Sequence, residues 1–243
     1  MNYDAIAPFY DAFNGGFDHG AYFERIKQAL SPYVDFPFGD CAALDCGCGT
    51  GSLTAKAAEA GFDCTGVDIS PYMLSEASSK PELSECRFVL QSLPEIDLYR
   101  AYDLVLCCLD TVNHLEKEDL AEFFRRIYNF TELNGFFVLD AKTEAEFRSS
   151  SHTVYSYEED AVLLYKGKYS KPYMKTDLRA EFYTEEGRAT AKTSVTERFY
   201  SNKEIKSLMA ATPFTYIGRY SWNRGERTVF IYRKELPAHH GQM

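Results

Sequence analysis

The sequence predicts an α/β fold: a doubly wound, mostly parallel sheet of seven strands with an antiparallel β insertion after the fifth strand. Short apolar strand patterns alternate with helical patterns as far as about residue 140, which is typical of parallel sheets covered by helices. A glycine-rich turn at residues 47–51 follows the first of these strands. Over residues 153–200 polar and apolar residues alternate instead, which favours antiparallel strands.

The parallel part of the sheet is predicted element by element from apolar periodicity. A first helix covers residues 21–30, because Phe23, Ile26 and Leu30 fall on one helical face. Strands follow over residues 42–46, 62–68, 86–90, 102–109 and 136–140. Helices are predicted over residues 52–60, from Pro71 onward and over residues 118–133, with Gly61 and Gly135 marking helix ends. This alternation predicts the doubly wound sheet.

The remaining residues complete the predicted architecture. Ser201 can cap a helix that ends near Pro213, and strands over residues 215–221 and 227–232 close the sheet as a hairpin. Residues 237–243 are predicted to be disordered. The predicted domains are a core over residues 1–150 and 201–236 and an antiparallel insertion over residues 151–200.

Composition and charge disfavour several classes of protein. The 243 residues carry a net charge of −10, and the basic residues form no cluster longer than a pair, which disfavours a nucleic-acid partner. No run of 18 apolar residues occurs, and the first residues lack the pattern of a signal peptide, so we expect no membrane association and a cytoplasmic location. The seven cysteines include no C-x-x-C pair, and no metal site is predicted.

The glycine-rich turn indicates the kind of ligand. Its glycines follow a G-x-G-x-G spacing, and Ser52 stands where a dinucleotide-binding fingerprint has its third glycine. Such a loop still lets the backbone approach a ligand closely, as a nucleoside without a pyrophosphate requires. Asp68, at the tip of the second predicted strand, can accept hydrogen bonds from both ribose hydroxyls. An NAD-dependent oxidoreductase is therefore the less favoured alternative.

Four motifs resemble a known family when they are taken together. They are the opening Tyr-Asp-x-x-Ala-x-x-Tyr-Asp, Leu-Asp-Cys-Gly-Cys-Gly-Thr-Gly at residues 44–51, Val-Asp-Ile-Ser at residues 67–70 and Asp-Thr-Val-Asn-His-Leu at residues 110–115. This set resembles the class I S-adenosylmethionine (SAM) dependent methyltransferases, and within them a bacterial group of small-molecule enzymes. Relatives of that group include N-methyltransferases of amino sugars and glycine-type amines. The resemblance implies a Rossmann-like fold, SAM as the cofactor and a small-molecule acceptor.

The resemblance also implies roles for individual residues. Asp45 would order the loop or meet the methionyl ammonium, and Tyr10 would cover the cofactor, or alternatively pack in the core of an N-terminal helix. Where such enzymes often carry an acid that binds the adenine amino group, this chain has Ser92 between Gln91 and Leu93. The implied cofactor-binding residues are Tyr10 above the cofactor, Asp45, Gly47, Cys48 and Gly49 near the methionyl part, Asp68 at the ribose, Ile69, Met73, Ser92 and Leu93 near the adenine, and Cys108.

Asp110 and His114 are the candidate catalytic residues. Asp110 follows the fourth predicted strand, at the edge where doubly wound sheets bind their ligands, and His114 lies four residues further on. Methyl transfer from a sulfonium mainly requires alignment of the acceptor, and either side chain could take the proton that an amine or hydroxyl must lose. The alternative is that Asp110 and Asn113 cap local turns and that His114 lies on the surface.

Two functional hypotheses stand beside the oxidoreductase. The first is a SAM-dependent methyltransferase that modifies a nitrogen or oxygen of a small molecule, as a monomer or a homodimer. The second is a SAM-binding sensor or assembly protein without catalysis. The insertion is rich in tyrosine, which suits a pocket wall as well as a protein interface. By resemblance, the insertion covers the acceptor pocket or forms a dimer contact.

Overall fold

A seven-stranded sheet forms the centre of the structure, a computed structural model that describes residues 3–34, 41–158 and 161–236. With strands numbered along the chain, it contains β1 (Ala42–Cys46), β2 (Asp63–Asp68), β3 (Arg87–Leu90), β4 (Tyr102–Cys107), β5 (Thr131–Lys142), β10 (Thr215–Trp222) and β11 (Arg227–Arg233). The strand order is β10-β11-β5-β4-β1-β2-β3. The first five strands are parallel and β11 is antiparallel to both its neighbours. The predicted mostly parallel sheet is confirmed, whereas the disorder predicted for residues 237–243 lies outside the described residues.

Helices cover both faces of this sheet. Their bounds are α1 (Tyr10–Phe13), α2 (His19–Leu30), α3 (Ser52–Glu59), α4 (Pro71–Ser79), α5 (Thr111–His114), α6 (Lys117–Ile127), α7 (Glu144–Ser149) and α8 (Asn202–Met209). On one face α2 and α3 bury Phe23 and Leu53 against Leu104 of β4. On the other, α6 and α8 bury Phe123 and Ile205 in a second apolar cluster. The doubly wound arrangement is therefore confirmed, and no described helix is long and apolar enough to cross a membrane.

Between α7 and α8 the chain forms a second sheet that is antiparallel throughout. Its strands, in spatial order, are β6 (Thr153–Tyr157), β7 (Ala161–Ser170), β8 (Tyr173–Thr184) and β9 (Gly187–Arg198). The antiparallel insertion predicted after the fifth strand is thus confirmed. Before α1, residues Asp4–Phe9 form a 3-10 helix. Phe9 and Phe13 pack against an apolar cluster of β7 and β8 that includes Leu163 and Ala180, so the N-terminal segment lies against the inserted sheet.

Several local signals act as the sequence predicts. The Ser70 hydroxyl accepts from the Met73 amide at the start of α4, where Pro71 is the first helical residue. Ser201 and Glu204 form a complete capping box at the start of α8. Gly61 follows the end of α3 with a φ of 96°. These helix ends are therefore determined by residues close by in the chain.

Two predicted boundaries around the fifth strand are wrong. Helix α6 ends at Ile127 rather than at residue 133, and β5 begins at Thr131. The Lys234 ammonium donates to two carbonyl oxygens just beyond α6, at 2.9 and 2.8 Å, so those groups are satisfied without a further helical turn. Gly135 lies within β5, where a Cβ would come 2.9 Å from the nearest backbone oxygen. Glycine there permits a close strand contact and does not stop a helix.

The fourth strand also ends earlier than predicted, at Cys107 instead of residue 109. Leu109 and Asp110 have φ values of 55° and 81°, in the left-handed region that non-glycine residues seldom adopt. This turn leads directly into the short helix α5. It places α5 at the carboxyl edge of the sheet, next to the glycine-rich turn.

Candidate functional site

The glycine-rich turn after β1 folds back on the neighbouring strand. The amides of Gly47 and Cys48 donate to the Val67 carbonyl at 2.7 and 3.0 Å. Gly47 has a φ of 73°, and a Cβ there would lie 2.5 Å from two atoms of the Thr111 side chain. Glycine at this position is therefore required both by the backbone conformation and by the packing of α5.

Gly49 keeps its open side toward a cavity. A Cβ on Gly49 would have its nearest neighbour 4.0 Å away, at the ring of Tyr10. The Gly49 amide donates to Asp68 Oδ2 and the Ser70 amide to Asp68 Oδ1, both at 2.9 Å. Burial raises the pKa of Asp68 above its ordinary value, while the amides that hold it oppose this change. Each carboxylate oxygen still has a lone pair for a ligand.

Two adjoining cavities open at this edge of the sheet. The first, here called the Asp68 cavity, has a volume of about 230 Å³. The second, the Asp45 cavity, has a volume of about 300 Å³. Both are lined by Tyr10, Gly47, Gly49 and Leu109. The other predicted cofactor residues line one cavity each. The Asp68 cavity is lined by Asp68, Ile69, Met73, Ser92 and Leu93, and the Asp45 cavity by Asp45, Cys48 and Cys108.

The lining of the Asp68 cavity includes an acid that sequence analysis missed. Ser92 and Leu93 line the cavity beside Asp119, an exposed residue in the first turn of α6. The neighbouring Gln91 is bound instead to the backbone of Asp97, by two hydrogen bonds of 3.0 Å. A helix distant in the chain thus supplies the Asp68 cavity with a carboxylate beside Ser92 and Leu93.

Asp45 lies at the base of its cavity. Its side chain is buried and accepts a hydrogen bond of 2.6 Å from the Thr54 hydroxyl of α3. Burial raises the pKa of Asp45 to about 6. The carboxylate therefore ties the turn to the following helix and also faces the cavity, so the geometry is compatible with both roles implied for it.

The N-terminal segment lines both cavities. The Ser70 hydroxyl donates to Asp4 at 2.7 Å, and the Lys80 ammonium donates to Asp11 at 2.7 Å. Tyr10 lies between these two attachments and Tyr3 directly before the first, and both line the Asp68 cavity with their rings edge to face. Tyr10 is thus held over the glycine-rich turn by polar contacts on either side of it.

His114 lies inside the site and not on the surface. Its Nε2 is 2.9 Å from the Tyr3 hydroxyl, and it lines the Asp68 cavity. Its Nδ1 is buried near the Thr196 carbonyl, without a hydrogen bond of normal geometry to any described residue. Burial lowers the pKa of His114 below its ordinary value of 6.5, and the charges of Glu197 and Asp110 oppose this.

Asp110 is the centre of a buried ion network. Its carboxylate is 2.7 Å from the Lys142 ammonium and 2.5 Å from the Arg227 guanidinium. These two cations hold the pKa of Asp110 far below its usual range. Its side chain makes no capping bond to α5, and the Asn113 amide reaches the backbone of Lys142 and Arg198. Neither side chain is therefore a local turn cap.

Several residues of the site were not identified from the sequence. Tyr3 could have been, because it opens the same motif as Tyr10. Thr111 follows Asp110 directly, and its side chain packs against Gly47. Arg227 begins β11 and reaches the Asp45 cavity from across the sheet, and no local pattern marks it.

Comparisons with known proteins agree with this geometry. Residues 43–135 match the family model described as a methyltransferase domain. The "Putative methyltransferase GWCH70_2453" of Geobacillus sp. (strain WCH70) is 32% identical over 143 residues, which are 58% of this chain and 57% of that protein. The chain therefore spans little more than half the length of this curated relative.

Solved structures extend the likeness to nearly the whole chain. An S-adenosylmethionine-dependent methyltransferase from Clostridium acetobutylicum ATCC 824 matches with a TM-score of 0.80 at 19% identity, over 96% of this chain and 99% of that one. The sugar N-methyltransferase KedS8 from Streptoalloteichus sp ATCC 53650 matches with a TM-score of 0.78 at 19% identity, over 93% of each chain. At these identities the likeness shows the fold alone. Residues 43–135 therefore match a methyltransferase domain, and the chain has the fold of the SAM-dependent methyltransferases.

Proposed function

We propose that this protein transfers a methyl group from SAM to a nitrogen or oxygen of a small-molecule acceptor. The observation that carries the proposal is the convergence of all eleven predicted cofactor residues on two adjoining cavities at the carboxyl edge of the sheet. Doubly wound sheets bind their ligands at this edge. A cytoplasmic location and a monomeric or homodimeric state are parts of the same proposal.

The residues present fit this cofactor. Asp68 would hold the ribose hydroxyls with the lone pairs that the Gly49 and Ser70 amides leave free. Ile69, which is 55% exposed at the cavity mouth, and buried Met73 would contact the adenine. The open side of Gly49 allows the methionyl part to pass below Tyr10 into the Asp45 cavity. There the Asp45 carboxylate would meet the methionyl ammonium.

His114 is the group that we assign as the base. When bound, SAM supplies a methyl carbon activated by its sulfonium, which the acceptor lone pair attacks as the carbon–sulfur bond breaks. Because burial lowers the pKa of His114, the imidazole is neutral near pH 7 and can take the proton that the acceptor loses. Asp110 is paired with Lys142 and Arg227. We therefore assign it the role of a fixed negative charge and not that of the base.

The acceptor is proposed to enter between the N-terminal segment and the inserted sheet. A groove of about 480 Å³ lies there, lined by Phe13 and Gly15 on one side and by Leu163 and Tyr165 on the other. Gly15 also lines the Asp45 cavity, so the two spaces adjoin. Among the described lining residues, Glu158 alone is charged, which favours an amine. An N-methyltransferase of sugars among the similar structures supports the same class of acceptor.

Calorimetric titration tests the cofactor directly. The purified protein is titrated in parallel with SAM, with S-adenosylhomocysteine and with NADH. We expect micromolar binding of the SAM pair and no signal with NADH. Binding of NADH alone would contradict the proposal, and SAM binding without turnover of any amine or hydroxyl acceptor would identify a sensor instead.

The pH dependence of turnover tests the role of His114. We expect the rate to fall as the pH drops through the lowered pKa of His114, below 6.5, because the protonated imidazole cannot accept a proton. His114→Gln should lower kcat by about 100-fold or more and abolish this acidic limb, with SAM affinity retained. His152→Gln, at an exposed histidine of the insertion, is the control. An unchanged pH profile in His114→Gln would refute the assignment.

A further inference from the structure

Lys142, the last residue of β5, joins the two sheets of the protein. Its ammonium lies 2.7 Å from Asp110 Oδ2, at the edge of the core sheet, and 2.8 Å from Glu197 Oε1 on β9 of the inserted sheet. The Lys142 side chain is only 16% exposed and that of Glu197 only 7%. A buried carboxylate from the insertion is therefore neutralised by a cation from the core.

A second bridge joins the same elements through Asn113. The Lys142 amide donates to Asn113 Oδ1 at 3.0 Å, and Asn113 Nδ2 donates to the Arg198 carbonyl at 2.9 Å. Asn113 is fully buried and directly precedes His114. Helix α5 is thus held between β5 and β9 at two adjacent points.

The backbone before α5 needs such support. Leu109 and Asp110 keep left-handed φ values of 55° and 81° although neither is glycine, and such conformations persist only where surrounding contacts enforce them. The ion pair with Lys142 holds one end of this turn, and the Asn113 bridge holds α5 beyond it. The position of His114 therefore depends on contacts outside α5.

The same groups determine the charge around the imidazole. The titratable groups that face His114 are Tyr3 and Tyr10 of the N-terminal segment, Asp68 of β2, Asp110 before α5, Lys142 of β5 and Glu197 of β9. Lys142 disfavours the protonated imidazole, and Glu197 favours it. Removal of the Lys142 charge should therefore raise the pKa of His114, and removal of the Glu197 charge should lower it.

We infer that Lys142 and Glu197 are positioning residues, which hold α5 and His114 between the two sheets and set the electrostatic environment of the imidazole. The inference rests on the proposed function for the role of His114 as the base. Neither residue lines the Asp68 or the Asp45 cavity within the described part of the chain. Both would act through His114 and Asp110 without touching the cofactor.

NMR titration of the histidine ring signals tests the inference without an acceptor, with His114→Gln used to assign the His114 signal. We expect His114 to titrate at higher pH in Lys142→Met and at lower pH in Glu197→Gln than in the unsubstituted protein. Lys142→Arg, which keeps the charge, should restore the original titration. Lys171→Met breaks an exposed pair with Glu144 and serves as the control that leaves it unchanged.

Turnover gives a second readout once an acceptor is identified. Misplacement of the base in Lys142→Met should lower kcat by about 100-fold, with recovery in Lys142→Arg and no change in SAM affinity. Equal upward shifts of the His114 titration in Lys142→Met and Glu197→Gln would mean only that both variants expose His114 to solvent, and would overturn the inference. The absence of any shift would overturn it as well. If Lys142→Met does not fold, Glu197→Gln and Lys142→Arg decide. Failure of the unsubstituted protein to bind SAM would refute the proposed function separately.

Discussion

Asp68→Ala is expected to weaken SAM binding by at least about 100-fold, because it removes charge-assisted hydrogen bonds to the ribose worth roughly 1.5–3 kcal/mol each. The substitution also leaves the Gly49 and Ser70 amides without the carboxylate that holds the turn. Calorimetric titration with SAM measures the loss. Asp68→Asn, which keeps one acceptor oxygen, should show a smaller one.

The control for this prediction lies on the same strand. Asp63 begins β2, far from the cavities, and its carboxylate pairs with Arg87 and Arg100 on the surface. Asp63→Ala should bind SAM with unchanged affinity. Equal affinities of Asp68→Ala and the unsubstituted protein would show that the cofactor site has been placed wrongly.

Arg227→Met is expected to lower the free energy of unfolding by about 3–5 kcal/mol, as the loss of one partner from a buried ion network does. The Arg227 guanidinium pairs with Asp110 and, at 3.2 Å, with the fully buried Asp140. Among the described residues, Asp140 would keep the Tyr22 hydroxyl and the Leu109 amide as its donors. Equilibrium denaturation with urea measures the change.

The pH dependence of this difference provides a further check. Arg227 and Lys142 lower the pKa of Asp110 in the folded state. The stability that Asp110 contributes is therefore complete above its pKa of 3.8 in the unfolded chain and is lost as the pH falls further, through its lowered pKa in the folded protein.

The control is Arg87→Met, which breaks an exposed pair with Asp63 and should lower the free energy of unfolding by less than about 1 kcal/mol. An equally small effect of Arg227→Met would contradict a structural role for the network.

The two cavities at the sheet edge could be anticipated from the sequence because the signals that mark them are local. Gly47, Gly49 and Asp68 lie at the ends of adjacent parallel strands, β1 and β2, and parallel strands bring their carboxyl ends to one edge. The helix starts at Pro71 and after Ser201 were predicted for the same reason, since these signals act within one turn of their own residue. Pattern and spacing suffice wherever the partners are close in the chain.

The rest depended on groups that approach from distant parts of the chain. The end of α6 is determined by Lys234, which follows the last strand. Strand β4 ends at Cys107 because Leu109 and Asp110 form a left-handed turn. Neither residue is glycine, so the sequence does not indicate this turn. The acid beside Ser92 in the Asp68 cavity, Asp119, comes from a helix and not from the loop after β3. Periodicity contains no information about such contacts.

The sequence by itself determined the α/β class, the mostly parallel core sheet, the antiparallel insertion and eleven of the residues that line the two cavities. These features follow from apolar periodicity, glycine conformation and the geometry of parallel strands, which act over short distances. Only the tertiary structure decided that Asp110 is paired with Lys142 and Arg227 and that burial lowers the pKa of His114. The reason is physical: the charge state of a side chain depends on burial and on the charges around it, and here those charges come from β5, β9 and β11.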